Sequence, residues 1–201
     1  MSGATTPPTL DGALRSVTRS LGSARRVGVA YSGGVDSTLL LALCLRVLSE
    51  LAKRRRFDNV LDLGCGTGLL AIGAAKLWRK QVLASDIDVV AVDVTKENAR
   101  ANGVAPLIHA LTADGLTHPA LAKHAPYDLI IANILAGPLT RLAPDIARAL
   151  APGGIAVLSG LLEWQENMVV SFYRPQGLIL RGTLRDGHWS ALTLERPAAR
   201  A

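Results

Sequence analysis

The segment Val60–Gly68 reads V-L-D-L-G-C-G-T-G, an apolar run that ends in three alternating glycines just before a helix-forming stretch begins at Leu69. Few folds accommodate that order. Glycine has no Cβ, so the chain can turn sharply there and let a ligand come close to the backbone. A strand that delivers such a loop to a helix N-terminus makes a nucleotide-sized site in an open α/β sheet. Asp86 stands 22 positions after Gly64, behind the next apolar run, Gln81–Ala84. A carboxylate about 20 residues beyond the loop is placed to accept hydrogen bonds from a ribose.

The pattern downstream supports such a sheet. Strand-like runs at Val60–Leu63, Gln81–Ser85, Leu107–Leu111, Asp128–Ala132 and Ile155–Ser159 alternate with helical stretches at Leu69–Trp78, Val89–Ala101, Pro119–His124 and Gly137–Leu150. Regular strand–helix alternation predicts a doubly wound α/β fold with a parallel sheet. Asn102-Gly103 and Pro152-Gly153-Gly154 read as helix stops, and Asp88 as a cap for the helix that follows it. A helix at Glu163–Tyr173 then leads to two β-like runs, Leu178–Arg185 and Trp189–Glu195, joined through Asp186-Gly187, a hairpin signal. The expectation is a seven-stranded Rossmann-like sheet that closes in an antiparallel hairpin.

Upstream, a Thr- and Pro-containing tail, residues 1–9, precedes a helical run at Leu10–Leu21 and a short β-like run at Arg26–Tyr31. An apolar helix, Thr38–Ala52, should be largely buried. The net charge of +6 falls unevenly: residues 1–56 hold nine basic and three acidic side chains, and the remainder is neutral. The cluster Lys53-Arg54-Arg55-Arg56 lacks interleaved aromatic residues, so it reads as a solvated helix end rather than a nucleic-acid footprint. Two cysteines, Cys44 and Cys65, do not suggest a disulfide framework. With no signal-like N-terminus and no apolar stretch of membrane length, a cytoplasmic protein without a membrane partner is expected.

The spacing at Gly64–Gly68 is G-x-G-x-G, which disfavours the G-x-G-x-x-G dinucleotide loop, and no G-x-x-x-x-G-K-[ST] follows the strand. A ribose-bearing ligand without a phosphate chain remains, and S-adenosylmethionine fits. Its methionine end would lie along the glycine turn, with Asp86 at the ribose and Asp114 near the adenine edge. The structural alternative for each acid is a helix cap or a surface charge.

At this point the residues carry a family resemblance. V-L-D-L-G-C-G-T-G-L-L-A-I, then S-D-I-D and N-A-R-A-N-G-V, then I-I-A-N-I-L-A-G-P-L resemble the ribosomal protein L11 methyltransferases (PrmA) over about residues 52–196. Leu158-Ser159-Gly160 fits the same pattern. The resemblance implies an S-adenosyl-L-methionine-dependent enzyme that methylates amino groups of a ribosomal protein. It implies Asp62, Gly64, Cys65, Gly66, Asp86, Ile87, Asp114 and Asn133 as cofactor-binding residues, Asn133 as the catalytic residue, and no metal. Two departures stand out. The chain has no stretch long enough for the family's N-terminal recognition domain, and S-G-G-V-D-S-T stands where the family has G-T-G-x-H-x-T-T. Weaker enclosure of the cofactor and impaired recognition of the acceptor are the expectation.

The upstream segment V-G-V-A-Y-S-G-G-V-D-S, Val27–Ser37, is similar to the PP-loop of the N-type ATP pyrophosphatases, most closely tRNA lysidine synthetase (TilS). Backbone N–H groups and hydroxyls of Ser32–Ser37 would face phosphates at a helix start. The similarity stops near residue 50, without the strands that would hold adenine, so ATP chemistry is not expected. The chain therefore divides into a PP-loop-like extension, 1–51, and a methyltransferase domain, 52–201. Two alternative functions are an ATP-binding tRNA-modifying fragment and a non-catalytic cofactor-binding module.

Overall fold

The computed structural model describes residues 35–198, with side chains from Leu39 onward. The expected helix at 10–21, the strand at 26–31 and residues 32–34 of the Ser32–Ser37 loop lie outside the described residues, while Val35, Asp36 and Ser37 open the first described helix. The described chain begins with α1 (Val35–Arg54), followed by β1 (Val60–Leu63), α2 (Leu69–Trp78), β2 (Val82–Asp86) and α3 (Val89–Ala101). Next come β3 (Ile108–Thr112), α4 (Pro119–His124), β4 (Tyr127–Asn133), α5 (Ala136–Ala149) and β5 (Leu150–Leu162). A 3-10 turn at Glu163–Gln165, α6 (Glu166–Tyr173), β6 (Ile179–Asp186) and β7 (Trp189–Glu195) complete it.

These seven strands form one sheet in the order β3-β2-β1-β4-β5-β7-β6. The first five are parallel, and β7 runs antiparallel to both β5 and β6. This is the seven-stranded Rossmann-like sheet closed by an antiparallel hairpin that the sequence leads one to expect. Its central strands are apolar on both faces because helices cover both, which leaves no place for polar alternation. Val60, Leu129 and Ile131 pack under α1, α2 and α3 with Leu43, Leu48, Phe57 and Ile72. On the opposite face Leu61, Leu63, Ile130 and Ala132 pack with Leu121, Leu139, Ile146 and Tyr173 of α4, α5 and α6. Each large aliphatic side chain so buried contributes about 1.5–3 kcal/mol.

Helix α1 runs uninterrupted past residue 51, where the sequence suggested a division. Leu43, Cys44, Leu45 and Leu48 are fully buried in the same cluster as β1, and the helix packs on α2 and β7. Lys53 and Arg54 occupy its last turn, and Arg55 lies over the Phe57 ring while donating to the Gly153 carbonyl. Both cysteines are free and buried. Among the described residues no helix is long and apolar enough to cross a membrane.

One strand differs clearly from expectation. β5 extends over residues 150–162 rather than 155–159, because the Gly153 N–H donates to the Arg196 carbonyl and the Arg196 N–H to that of Gly154, which carries the pairing back past Ile155 through a turn at Gly153 (φ +77°). At the other end of the fold, strand order reverses around β1: β2 and β3 lie to one side of it, and β4 to the other. The crevice beyond the carboxyl ends of β1 and β4 is therefore where a ligand is expected.

Candidate functional site

The glycine loop sits in that crevice. Gly64, Gly66 and Gly68 have φ of +73°, +54° and +76°, a conformation that side chains with a Cβ rarely adopt. Neighbouring elements hold the loop by its backbone. Gly64 and Cys65 donate to the Ser85 carbonyl at 2.8 and 2.9 Å, and Gly66 donates to Asp86 Oδ2 at 2.8 Å. From α3, Thr95 Oγ1 donates to the Gly66 carbonyl and Asn98 Nδ2 to that of Thr67. Neither Thr95 nor Asn98 is among the expected site residues, although Asn98 opens the N-A-R-A-N-G-V segment. The signal was there: two polar residues three apart, on the face of α3 that also buries Val92 and Ala99.

Two neighbouring hollows lie over the loop. One, about 330 Å³, is lined by Gly64, Cys65, Gly66 and Asn133 together with Leu40, Leu41, Leu135 and Trp189. The other, about 310 Å³, is lined by Gly64, Asp86, Ile87 and Asp114 with Pro138 and Arg141. Ile134 separates them and belongs to both. Its position depends on two glycines. A Cβ on Gly64 would stand 2.4 Å from Ile134 Cγ2, and one on Gly160, at φ +85°, 2.5 Å from the Ile134 carbonyl oxygen.

The structure thus brings seven of the eight expected residues to the cleft wall. Asp86 divides its carboxylate between the Gly66 N–H and, through Oδ1, the Asp88 N–H. Asp88 accepts from Val90 N at 2.9 Å and caps α3, as expected. Ile87 is 71 % exposed beside Asp86. Cys65 contributes backbone only, since its Sγ turns inward to Thr95 Oγ1 at 3.4 Å and burial pushes its thiol up to about 12. Asp62 lies beneath the loop rather than in the cleft. One oxygen accepts from the Ala71 N–H at the start of α2, and burial pushes its carboxyl up to about 7.

Asn133 ends β4, and its Oδ1 is buried without a partner among the described residues. Asp62 Oδ1, Ser85 Oγ and Ser159 Oγ are also unpartnered. All four lie at or near the carboxyl ends of adjacent central strands; Leu63 pairs with Ser85, and Asn133 with Ser159. A buried polar atom left without a hydrogen bond costs about 1–3 kcal/mol. Where such atoms gather under a cleft, a ligand that supplies partners gains that energy. Space above Gly66 is open, with nothing within 4 Å of where a Cβ would stand. Glycine turn, free backbone surface, carboxylate and orphaned amide oxygen together fit a small zwitterionic nucleoside.

Comparison with known proteins decides the family. A model of the ribosomal protein L11 methyltransferases (PrmA) matches residues 26–197. The chain belongs to the PrmA family. That match begins upstream of residue 52 and takes in Ser32–Ser37, the segment that resembled a PP-loop. A ribosomal protein L11 methyltransferase from Brucella suis is 45 % identical over 168 residues, 84 % of this chain and 58 % of that protein. Its counterpart from Caulobacter sp. is 44 % identical over 171 residues, again 58 % of its length. The chain thus spans under two thirds of the curated relatives it matches. The crystal structure of a ribosomal protein L11 methylase from Lactobacillus delbrueckii subsp. bulgaricus superposes with a TM-score of 0.71 at 31 % identity, covering 85 % of this chain and 82 % of that one. A methyltransferase from Pyrococcus furiosus, 15 % identical with a TM-score of 0.70, shares the fold.

Proposed function

We propose that this PrmA-family chain is an S-adenosyl-L-methionine-dependent methyltransferase whose acceptor is an amino group of a ribosomal protein, acting in the cytoplasm. The observation that carries the reading is the unpartnered Asn133 Oδ1, buried at the end of β4 in the same cleft as Gly64 and Gly66. When bound, S-adenosylmethionine supplies an electrophilic methyl group on a sulfonium. The backbone of Gly64–Gly66 would hold its amino-acid end, Asp86 its ribose hydroxyls, and Asp114 its base, with Ile87 covering the base.

The chain's own part is alignment. Asn133 Oδ1 can accept a hydrogen bond from an incoming amine and so point the nitrogen lone pair into the cleft. Leu40, Leu41, Leu70, Leu135 and Trp189 form an apolar passage on that side. Desolvation there favours the neutral amine over the ammonium, because burial penalises the charged form. An in-line displacement needs that neutral nucleophile and its orientation more than it needs a strong base. The proton lost by the amine then passes to water.

Isothermal titration with S-adenosylmethionine, joined to methyl transfer onto purified ribosomal protein L11, tests the reading. Wild type should bind, and Asp86→Ala should lose about tenfold or more in affinity. Asn133→Ala should keep most of the affinity and lose transfer. Failure of the wild type to bind, or equal binding by Asp86→Ala, would overturn the proposal. Binding without transfer to any ribosomal protein would leave a cofactor-binding module instead.

A further inference from the structure

Among the described residues, Arg141 is a cation without a partner. It lies on α5 and lines the hollow that holds Asp86, Ile87 and Asp114. Its Nη1 passes 3.8 Å from where a Cβ on Gly137 would stand, an ordinary contact distance, so the guanidinium lies back along the first turn of α5. No hydrogen bond or ion pair joins it to another described residue, whereas Arg46, Arg148, Arg181 and Arg185 each meet a carboxylate. The nearby Asp86 has both oxygens engaged by backbone N–H groups.

We propose that Arg141 is a base-contacting residue, its guanidinium lying against the purine of the nucleoside held between Asp86 and Asp114. The inference rests on the cofactor reading given above. A guanidinium is planar and weakly hydrated, and it stacks on aromatic faces. The rest of this hollow suits a flat heteroaromatic ring: Leu63, Ala113 and Leu142 are apolar, and Ile87 is exposed. Asp114 supplies an acceptor for an exocyclic amine, and Arg141 balances one of the two acidic charges. α5 then does two jobs, since its N-terminal turn follows Asn133 and its second turn reaches the base.

Charge gives the test its sign. S-adenosylmethionine carries a sulfonium, so a cation acting only through its field would oppose binding, and its removal would tighten that ligand. S-adenosylhomocysteine has a neutral sulfur and would not respond in that way. A stacking role predicts the opposite. Titrations of wild type, Arg141→Ala and Arg141→Lys with S-adenosylmethionine, S-adenosylhomocysteine and adenosine decide between them. Arg141→Ala should weaken all three ligands by about three- to tenfold. Arg141→Lys should not restore affinity, because an ammonium lacks the plane. Melting temperatures of the unliganded variants should match wild type, since the side chain is exposed and unpaired. Unchanged affinities, or tighter binding of S-adenosylmethionine alone, would overturn the assignment and leave the cofactor reading intact. A wild type that binds none of the three ligands would overturn both.

Discussion

At the scale of single residues, space and chemistry can be separated. Gly66 and Gly160 both adopt positive φ, but a Cβ at Gly66 meets nothing within 4 Å, while one at Gly160 meets the Ile134 backbone at 2.5 Å. Gly160→Ala should therefore destabilise the fold by about 2 kcal/mol or more, read as a lowered melting temperature. Gly66→Ala should cost only about 1 kcal/mol of stability yet remove most cofactor affinity, because its methyl group occupies the ligand's space. Calorimetry and thermal denaturation on the two variants should give opposite rankings. Asp62 offers a pH signature. Its folded-state pKa is raised from 3.8 to about 7, so the folded chain binds more protons than the unfolded one in between. Its contribution is thus fully present below about pH 4 and is lost as pH rises toward 7. Asp62→Asn, which keeps an acceptor for the Ala71 N–H, should flatten that decline and melt higher than wild type above pH 7 in a pH series of unfolding curves.

Elements show what the sequence could convey. The bounds of β1, α2, α3, α4 and β7 were legible because local signals set them: glycines at 64–68, the Asp88 cap, the Asn102-Gly103 stop and Pro119 in the first turn of α4. The extra length of β5 was not legible, since its cause is Arg196, more than forty residues away in the chain. The expected helix 163–173 splits into a 3-10 turn and α6, and a distant partner acts here too. Glu166, at the start of α6, accepts from Arg185 Nε and Nη2 on β6 and from Ser190 Oγ on β7, each at 2.7 Å. Arg185 and Ser190 together hold the Glu166 carboxyl below its usual range. A depressed carboxylate lends stability above its unfolded pKa and loses it as pH falls through the folded one. Glu166→Gln should therefore melt lower than wild type at neutral pH and converge with it in acid, as followed by circular dichroism. In the cleft, the glycine loop and Asp86 were readable from spacing. Arg141 was not, because an arginine on an amphipathic helix looks like any solvated charge until the fold places it beside Asp114.

For the whole molecule, the decisive feature is that the ligand site lies where two cores meet and draws lining from both, Cys65 and Leu70 from one and Leu63 and Ala113 from the other. Cofactor at about 100 times its dissociation constant should stabilise the folded state by about 2.7 kcal/mol, raising the melting temperature by about 5–10 °C. Asp86→Ala should abolish that shift, and differential scanning fluorimetry suffices to see it. The seven-stranded architecture was legible in advance because alternation of strand and helix leaves few topologies open. Which acceptor surface would meet the cleft was not, since Leu135, 72 % exposed on its rim, is apolar in a way that many partners would satisfy. Ile134 bears on how this fold can change. Its side chain fills the concavity of Gly64 and its carbonyl rests over Gly160, so it is a party wall with a tenant on each side. Selection for a wider range of acceptors cannot move that wall without also loosening the nucleoside behind it. Variation in acceptor preference should therefore accumulate at Leu40, Leu41 and Trp189, which border only one of the two rooms.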